Sequence, residues 1–437
     1  MNNSKVFPMN KIKLKDATVK ITDGSHFSPQ GVEIGYPMLS SKDMRDNGFD
    51  YSDVKHITKD DYLALVKNGC KPKIDDVLII KDGNSYLKKA FVVTEEADIV
   101  LLSSIGILRP NKRVIDPYFL KYYLLSDYVQ NAANKYVTGS AIPRVILANF
   151  GEIEIPLPSM QEQKKIALVL KTLDAKMAVN NAIAAELEGV AKDLYDYWFV
   201  QFDFPDENGK PYKSSGGKMV WNEELKREIP EGWEVDRLGK HITSSRGISY
   251  NSATLEGDGV PMINLASFGV DSNYKPAGIK TYNGQYDADK ILHPFDLIMC
   301  NTQQTAIDPT KDIIGKAMLV PDIFDGDIVS SHHVTTITPD VDELKYYLYG
   351  TCKTTWFHKY IVGFASGTNI LGLDFKGFED YLMLLPPMRF LQKFATSIKN
   401  IESEKNLIIT ENAELASLRD FLLPMLMNGQ VKVKGAS

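Results

Sequence analysis

The chain has 437 residues, of which 44% are hydrophobic and 24% charged. This composition is that of an ordinary globular protein, and the length is too great for one compact core. Its net charge of −6 argues against a strongly basic nucleic-acid binder unless positive charge is concentrated locally. The apolar runs are far shorter than the roughly 18 residues that span a bilayer, and the N-terminal residues lack a secretory or organellar signal pattern. We therefore expect a cytoplasmic protein with no membrane segment.

Residues 1–158 are predicted to form a first domain of short strands, turns and one clear helix. Strand candidates are Val77–Ile80, Ala90–Val93 and Ile105–Leu108, and Asp116 followed by proline marks a helix start. This mixture is typical of an α/β or α+β domain.

Residues 159–199 predict a long central helix. From Ile166 to Trp198 the apolar positions alternate in spacings of four and three over several heptads, which indicates a coiled coil. Asn180 is a polar exception in this seam, and such a residue often fixes helix register at a cost in stability. Replacing it with Leu should therefore raise stability. Residues 200–237 are rich in Gly, Pro and Ser, which predicts a linker.

Residues 238–387 predict a second domain and residues 388–429 a second coiled-coil helix. The domain is acidic, because residues 238–385 hold 11 Lys and Arg against 17 Asp and Glu. The helix has one wholly apolar sevenfold series and one mixed series. Strand candidates in the domain are Leu297–Cys300, Ala317–Val320 and Val334–Thr338. Three widely spaced cysteines, Cys70, Cys300 and Cys352, predict buried thiols rather than disulfides or a zinc site.

The two halves of the chain repeat each other. Leu120-Lys121-Tyr122-Tyr123-Leu124 recurs as Leu344-Lys345-Tyr346-Tyr347-Leu348, at an offset of 224 residues, and Tyr36-Pro37-Met38-Leu39 recurs at the same offset as Val260-Pro261-Met262-Ile263. The order of parts is therefore domain, helix, linker, domain, helix.

Three motifs carry a resemblance to a known family. They are Asp23–Pro29 (DGSHFSP), Pro156–Pro158 with Gln161–Ile166 (PLP and QEQKKI), and Ile229–Val235 (IPEGWEV). In this order, and together with the repeat, they resemble the specificity subunit of type I restriction-modification systems over essentially the whole chain.

The resemblance implies an α/β (α+β) protein with two target-recognition domains joined by two long antiparallel coiled-coil helices in an internal pseudo-twofold repeat. Each domain would read one half of a bipartite site in double-stranded DNA. The helices would act as spacer and as docking surface for two modification (methyltransferase) subunits, and restriction/translocase subunits would join the full enzyme. The chain itself would hold no catalytic centre or cofactor, since S-adenosylmethionine, ATP and Mg would belong to the partner subunits.

Other functions remain open at this point. The sequence has no P-loop, dinucleotide fingerprint or amino-methyltransferase motif. Asp322 with Glu343 and Lys345 would suit a metal-dependent nuclease, but such loose patterns arise by chance, and we expect no metal site. His332 and His333 lie on an apparent strand, where neighbouring side chains point to opposite faces and cannot chelate one ion. The alternatives are a specificity subunit of a combined methyltransferase-nuclease system, a nuclease, or a coiled-coil scaffold.

Polar loops that follow the matched strands supply the candidate DNA contacts. Asn and Gln can bond adenine in bidentate fashion, while Lys and Arg suit guanine or phosphate. The alternative is an ordinary solvated loop or turn. The candidates are Ser25, His26, Lys81, Asn84, Ser85, Lys88, Lys89, Ser140, Arg144, Arg246, Asn301, Thr302, Gln303, Gln304, His332, Thr368 and Asn369.

Overall fold

The computed structural model describes residues 10–83, 85–134, 137–138, 144–145, 147–304 and 312–433. The chain divides into two compact units, which are Met1–Ala178 with Glu414–Ser437 (unit 1) and Val179–Ala413 (unit 2). Each unit combines one α+β domain with part of each long helix. The domain borders inferred from the sequence stay predictions, because both long helices are shared between the units.

The domain of unit 1 consists of short strands and helices, numbered here in chain order. They are β1 (Asn10–Lys13), α1 (Leu14–Ala17), β2 (Thr18–Asp23), β3 (Tyr36–Leu39), β4 (Met44–Arg45), β5 (Gly48–Phe49), β6 (Lys55–Ile57), α2 (Lys59–Lys67), β7 (Val77–Ile80), β8 (Ala90–Val92), β9 (Val100–Leu101), β10 (Ile105–Pro110), α3 (Pro117–Leu124), α4 (Asp127–Asn134), β11 (Val137–Thr138), β12 (Arg144–Val145), α5 (Leu147–Phe150) and β13 (Glu154–Leu157). The long helix α6 (Met160–Tyr195) follows and ends in a π-helical turn at Asp196–Val200.

Unit 2 continues the numbering. Its elements are β14 (Met219–Asn222), β15 (Arg227–Pro230), β16 (Glu234–Arg237), β17 (Ile242–Arg246), β18 (Val260–Ile263), β19 (Lys280–Tyr282), β20 (Leu297–Cys300), β21 (Thr302–Gln304), β22 (Ala317–Leu319), β23 (Val329–Ser330), β24 (Val334–Pro339), α7 (Leu344–Cys352), α8 (Thr355–Val362), β25 (Ala365–Ser366), β26 (Ile370–Leu373), α9 (Lys376–Glu379), β27 (Leu382–Leu385) and the long helix α10 (Met388–Met427). The predicted strands in both domains are confirmed within one or two residues.

The two domains share one sheet topology. Unit 1 has a four-stranded antiparallel sheet in the order β2-β10-β7-β8, and unit 2 has one in the order β17-β24-β20-β22. In unit 1, β3 pairs antiparallel with β6 and parallel with β9, and in unit 2 β18 pairs in the same two ways with β19 and β23. One pair of repeated segments therefore occupies the corresponding strands β3 and β18, and the other pair lies in helices α3 and α7.

A glycine follows the first strand of each four-stranded sheet. A Cβ atom on Gly24 would lie 2.1 Å from the carbonyl oxygen of Leu101, and one on Gly247 would lie 2.3 Å from that of Ser330. Backbone cannot give way as a flexible side chain can, so both positions need the residue without a side chain. The same close backbone approach is thus built twice.

The central strands of both sheets are buried on two sides. In β7, Val77 and Ile79 join the core beneath α3, whereas Leu78 and Ile80 face a second cluster on the other side. Strand β20 alternates in the same way between two clusters. This explains why both strands read as continuous apolar runs.

The predicted linker is part of the unit 2 core. Phe202, Phe204, Ile229 and Trp233 are all buried there, because their apolar surface outweighs the loop-like composition around them. Strand β16 also pairs antiparallel with β27. Part of the predicted linker therefore packs with the second domain, although a boundary at residue 238 stays a prediction.

The two long helices present their predicted seams inward. None of the ten seam residues from Ile166 to Trp198 is exposed, and in α10 the apolar series from Phe394 to Leu422 is likewise buried or half-buried. The mixed second series of α10 also faces inward. Its polar members form part-buried contacts with α6.

Within each unit, polar side chains join α6 to α10. In unit 2, Asn180 Nδ2 donates to Asn412 Oδ1 at 3.0 Å, and Lys405 Nζ lies 2.7 Å from Glu188 Oε2. Residue numbers rise along α6 as they fall along α10, so the two helices run antiparallel in this unit. In unit 1, Arg419 Nη1 lies 3.3 Å from Asp174 Oδ1.

All three cysteines are buried and unbridged, as predicted. Burial raises the pKa of the Cys300 thiol to about 12, so this thiol is protonated at neutral pH. In the described ranges, no helix is both long and apolar enough to cross a membrane.

Candidate nucleic-acid interface

The segment after β20 carries two predicted contacts that face inward. Asn301 is 1% exposed, and its amide nitrogen donates to Thr335 Oγ1 at 2.8 Å. Gln303 is 5% exposed, and its Oε1 accepts from the backbone nitrogens of Ile313 and Ile314 at 2.7 and 2.9 Å. Both amides are engaged within the protein, so we revise them from candidate base contacts to residues that position this segment.

Gln304 and the Thr368–Asn369 turn come together in a small antiparallel sheet. Strand β21 pairs with β26, and β26 pairs with β25, so that Gln304 lies directly opposite Ile370. Ile370 follows the exposed Thr368 and Asn369 in the turn between β25 and β26. Two candidate segments that are more than 60 residues apart in the sequence therefore form one surface.

The His332–His333 pair lies beside this sheet. Both residues are in a turn before β24, and their ring centroids are 3.8 Å apart. The predicted strand arrangement is therefore wrong, because the strand begins only at Val334. His333 Nδ1 is 2.7 Å from Thr302 Oγ1, the first side chain of β21. Burial, together with the neighbouring His332 and a nearby lysine, holds the pKa of His333 below its ordinary value of 6.5.

Two basic residues border the histidine turn. Lys280 Nζ lies 4.9 Å from the ring centroid of Tyr250, whose ring is 5.7 Å from that of His332. Arg246 is exposed at the end of β17, opposite Thr335. Two basic residues of this acidic domain therefore lie near the histidine turn.

In unit 1, the corresponding place is a charged cluster. Lys81 is 3% exposed, and its Nζ is 3.0 Å from Asp82 Oδ2 and 3.4 Å from Asp23 Oδ2. His26 has an exposed ring with Nε2 3.1 Å from the same Asp23 oxygen. Lys81 is therefore revised from a DNA contact to a structural partner of two carboxylates, whereas His26 is placed where a ligand could reach it.

The other candidate DNA contacts in unit 1 differ in their exposure to solvent. Ser25 is buried, and its Oγ accepts from Phe27 N at 3.0 Å, so it shapes the loop rather than offering a contact. Ser85 and Lys88 are exposed and Lys89 is half-buried. Their loop is anchored by the buried Leu87, which adopts a left-handed φ of 57°.

Asn84 and Ser140 lie outside the described residues, as does the side chain of Arg144, whose backbone is in β12. Sequence reasoning missed Tyr250, Lys280 and Ile370. Nothing in their local sequence distinguishes them, because their place at this surface depends on pairing between distant strands.

The nuclease alternative gains no geometric support. In unit 2, Lys345 is buried and its Nζ is 2.7 Å from Asp342 Oδ1. Across the part of the chain that the structure describes, no group of three or more His, Cys, Asp or Glu side chains is arranged to hold a metal ion.

Comparisons with known proteins agree on one family. Residues 26–189 match a family model described as the type I restriction modification DNA specificity domain. The chain is 26% identical to the type I restriction enzyme MjaIX specificity subunit of Methanocaldococcus jannaschii, over 72% of this chain and 68% of that protein. It is 22% identical to the type I restriction enzyme HindI specificity subunit of Haemophilus influenzae, over 90% of this chain and 94% of that protein.

A solved structure gives the same fold. The S subunit of a type I restriction-modification system from M. genitalium matches with a TM-score of 0.55 and 14% identity, over 98% of both chains. The class is therefore a two-unit α+β protein in which residues 26–189 are similar to a DNA specificity domain. The sequence matches support, more particularly, a specificity (S) subunit of a type I restriction-modification system, and they confirm the resemblance inferred from the motifs.

Proposed function

We propose that this chain is the DNA-recognition subunit of a type I restriction-modification complex and that each unit reads one half of a bipartite target. The observation that carries the proposal is the shared topology of the two domains combined with different polar side chains at the same strand ends. Unit 1 offers His26 and Lys88, whereas unit 2 offers Arg246 and Gln304. Different side chains on a common frame fit two different half-sites.

The long helices would set the distance between the half-sites. Helix α6 has 36 residues and α10 has 40, which corresponds to helices about 54 and 60 Å long. We propose that they form an antiparallel coiled coil related by a pseudo-twofold repeat. Their inward seams and the polar contacts between them within each unit support this arrangement.

The same helices would dock two methyltransferase subunits. On α6 in unit 2, Val179, Ile183 and Val190 are 55, 45 and 54% exposed. At about 100° per residue their side chains fall within about 40° of one another around the helix. An exposed apolar face of this kind is typical of a surface that another protein covers.

The chemistry of modification and cleavage would then belong to the partners. S-adenosylmethionine would be held by the methyltransferase subunits, and ATP and Mg by the restriction/translocase subunits. This chain would contribute DNA recognition without a catalytic centre of its own.

Methylation mapping tests the proposal. Cells that express this chain with its modification subunit should carry methylated bases in two short, different sequence elements separated by a fixed unspecified gap. The control is the modification subunit alone, which should lose that pattern. A continuous palindromic target, or an unchanged pattern without this chain, would contradict the proposal.

Purification of the assembled complex distinguishes the proposed function from that of a combined methyltransferase-nuclease system. Distinct methyltransferase and translocase chains are expected to copurify with this protein. A single partner chain with both activities would instead indicate a combined methyltransferase-nuclease system.

A further inference from the structure

The three-stranded sheet β21-β26-β25 in unit 2 has two chemically distinct faces. Side chains directly opposite each other in antiparallel strands share a face, and neighbours along a strand alternate. Gln303 and its opposite residue Leu371 belong to the inner face, where Gln303 is buried and Leu371 packs against the unit 2 core. Gln304 and Ile370 therefore share the outer face.

The outer face combines one amide with one exposed aliphatic side chain. Gln304 is exposed, and Ile370 is 58% exposed although it lies in a regular strand. The Cβ atoms of directly opposite residues are about 5 Å apart. Both side chains can therefore contact the same chemical group of a ligand.

A glycine opens the centre of this face. Gly372 lies between Thr302 on β21 and Ser366 on β25. Among the described atoms, the nearest neighbour of a Cβ added to Gly372 would be the carbonyl oxygen of Ser366, at 4.0 Å. Within the described part of the chain, neither packing nor backbone strain at this position requires glycine, and a glycine inside a strand often marks a place where another molecule approaches closely.

We infer that Gln304 and Ile370 together read an adenine–thymine base pair in the major groove. An adenine edge offers the N7 acceptor and the N6 donor that match a glutamine amide, and thymine offers a methyl group for an apolar contact. The major groove admits a β-ribbon, and the absent side chain at Gly372 lets the sheet approach the base edges. This assignment rests on the proposed DNA-recognition function and names the base pair and the residues that select it.

The test uses the full chain assembled with its modification subunits. Selection from a randomised DNA duplex library should give a bipartite target with an A·T pair at a defined position in one half-site. Gln304→Ala should reduce the preference for adenine at that position about 5- to 150-fold, the equivalent of one bidentate contact. The other half-site should keep its preference.

Ile370 is tested through the thymine methyl group. In the selected duplex, replacing that thymine with uracil should weaken binding by the wild-type complex about fourfold, which is the contribution of one buried methyl group. The Ile370→Ala complex should bind the thymine and uracil duplexes equally. Val270→Ala is the matched control, because Val270 is 43% exposed in unit 2 and lies outside this sheet.

Gly372→Val separates recognition from folding. A valine should fit the strand and preserve or raise thermal stability, since β-branched residues favour strands. Its side chain should nevertheless hold the sheet away from DNA and weaken target binding. A variant that binds normally, or loses binding only because it unfolds, would overturn the inference.

The outcomes also separate this inference from the proposed function. If no bipartite target is selected, the proposed function fails. If a bipartite target appears but Gln304→Ala and Ile370→Ala leave every position unchanged, or weaken all sequences equally, the proposed function stands and this assignment is wrong.

Discussion

Asn180 is a sensitive probe of the polar contacts between the long helices. Its side chain is 1% exposed, and Nδ2 donates to Glu411 Oε2 at 2.7 Å and to Asn412 Oδ1 at 3.0 Å. Sequence alone predicts that Asn180→Leu raises stability, because an apolar residue replaces a polar one in the seam. The contacts correct that expectation, since the substitution removes a donor from two acceptors.

The expected changes in the free energy of unfolding predict that a double substitution is more stabilising than a single one. Burying a leucine stabilises by about 1.5–3 kcal/mol. Leaving a fully buried acceptor without a donor costs about 1–3 kcal/mol, and the two acceptors of Asn180 are half-buried. For Asn180→Leu alone, the gain and the loss at the two acceptors should therefore nearly cancel, and the free energy of unfolding should change by about 2 kcal/mol or less in either direction. Adding Asn412→Leu removes one of the two acceptors and adds apolar contact, which should raise stability by about 2 kcal/mol over the single variant.

Urea unfolding followed by circular dichroism measures both variants. Ala182→Leu is the control, because Ala182 is exposed on the same helix and its substitution should change stability by no more than about 0.5 kcal/mol. In the methylation map, the double variant should also accept targets with altered spacing, because the polar pair no longer specifies register. If Asn180→Leu alone is as stabilising as the double variant, the two acceptors do not depend on Asn180 and the reasoning fails.

Three further measurements test charged groups. Lys405→Met should lower the free energy of unfolding by about 3–5 kcal/mol, because the buried carboxylate of Glu402 loses its lysine and Glu188 loses one of its two. Lys192→Ala, which removes an exposed pair, should cost about 0–1 kcal/mol in the same urea assay. Burial disfavours the charged form of Glu188, but two neighbouring lysines hold its pKa below the ordinary 4.5. The Glu188 carboxylate therefore stabilises the fold fully above pH 4.5, and this stabilisation is lost as the pH falls through the lower pKa of the folded state. Urea unfolding measured over a pH series should show this loss for the wild-type chain and not for Glu188→Gln. Changing Lys88 and Lys89 together to Ala should weaken binding to every DNA sequence and reduce the log–log salt slope by up to about 1.8.

Periodic burial made the main elements predictable from sequence. The continuous apolar runs of β7 and β20 and the seams of α6 and α10 follow from contacts repeated at a fixed spacing. The segment 200–237 did not follow its composition, because its Gly, Pro and Ser residues form turns while a few large apolar side chains anchor it in the core. Composition counts every residue equally, so it does not show that one buried tryptophan can decide where a segment with several turn residues packs.

The candidate site was predictable as segments but not as individual contacts. Polar loops after matched strands pointed to these strand ends as candidates, yet Asn301 and Gln303 are buried while Gln304 is exposed. The partner of Asn301 is Thr335 on another strand, and Ile370 reaches Gln304 only through pairing across the sheet. Which side chain faces outward therefore depends on register between distant segments.

The two units share the backbone path at the candidate site but differ in the side chains that they place there. Strand β2 ends at Asp23, opposite Gly106 of β10, and β17 ends at Arg246, opposite Thr335 of β24. Each is followed by a glycine that close backbone carbonyls require, so the path of the chain is conserved between the units while the charge at the strand end is reversed. Asp23 is paired with the buried Lys81, so its substitution also disturbs the fold, whereas Arg246 is exposed. Substitution of Arg246 should therefore change which DNA sequence is preferred without loss of the fold, and the two half-sites need not resemble each other.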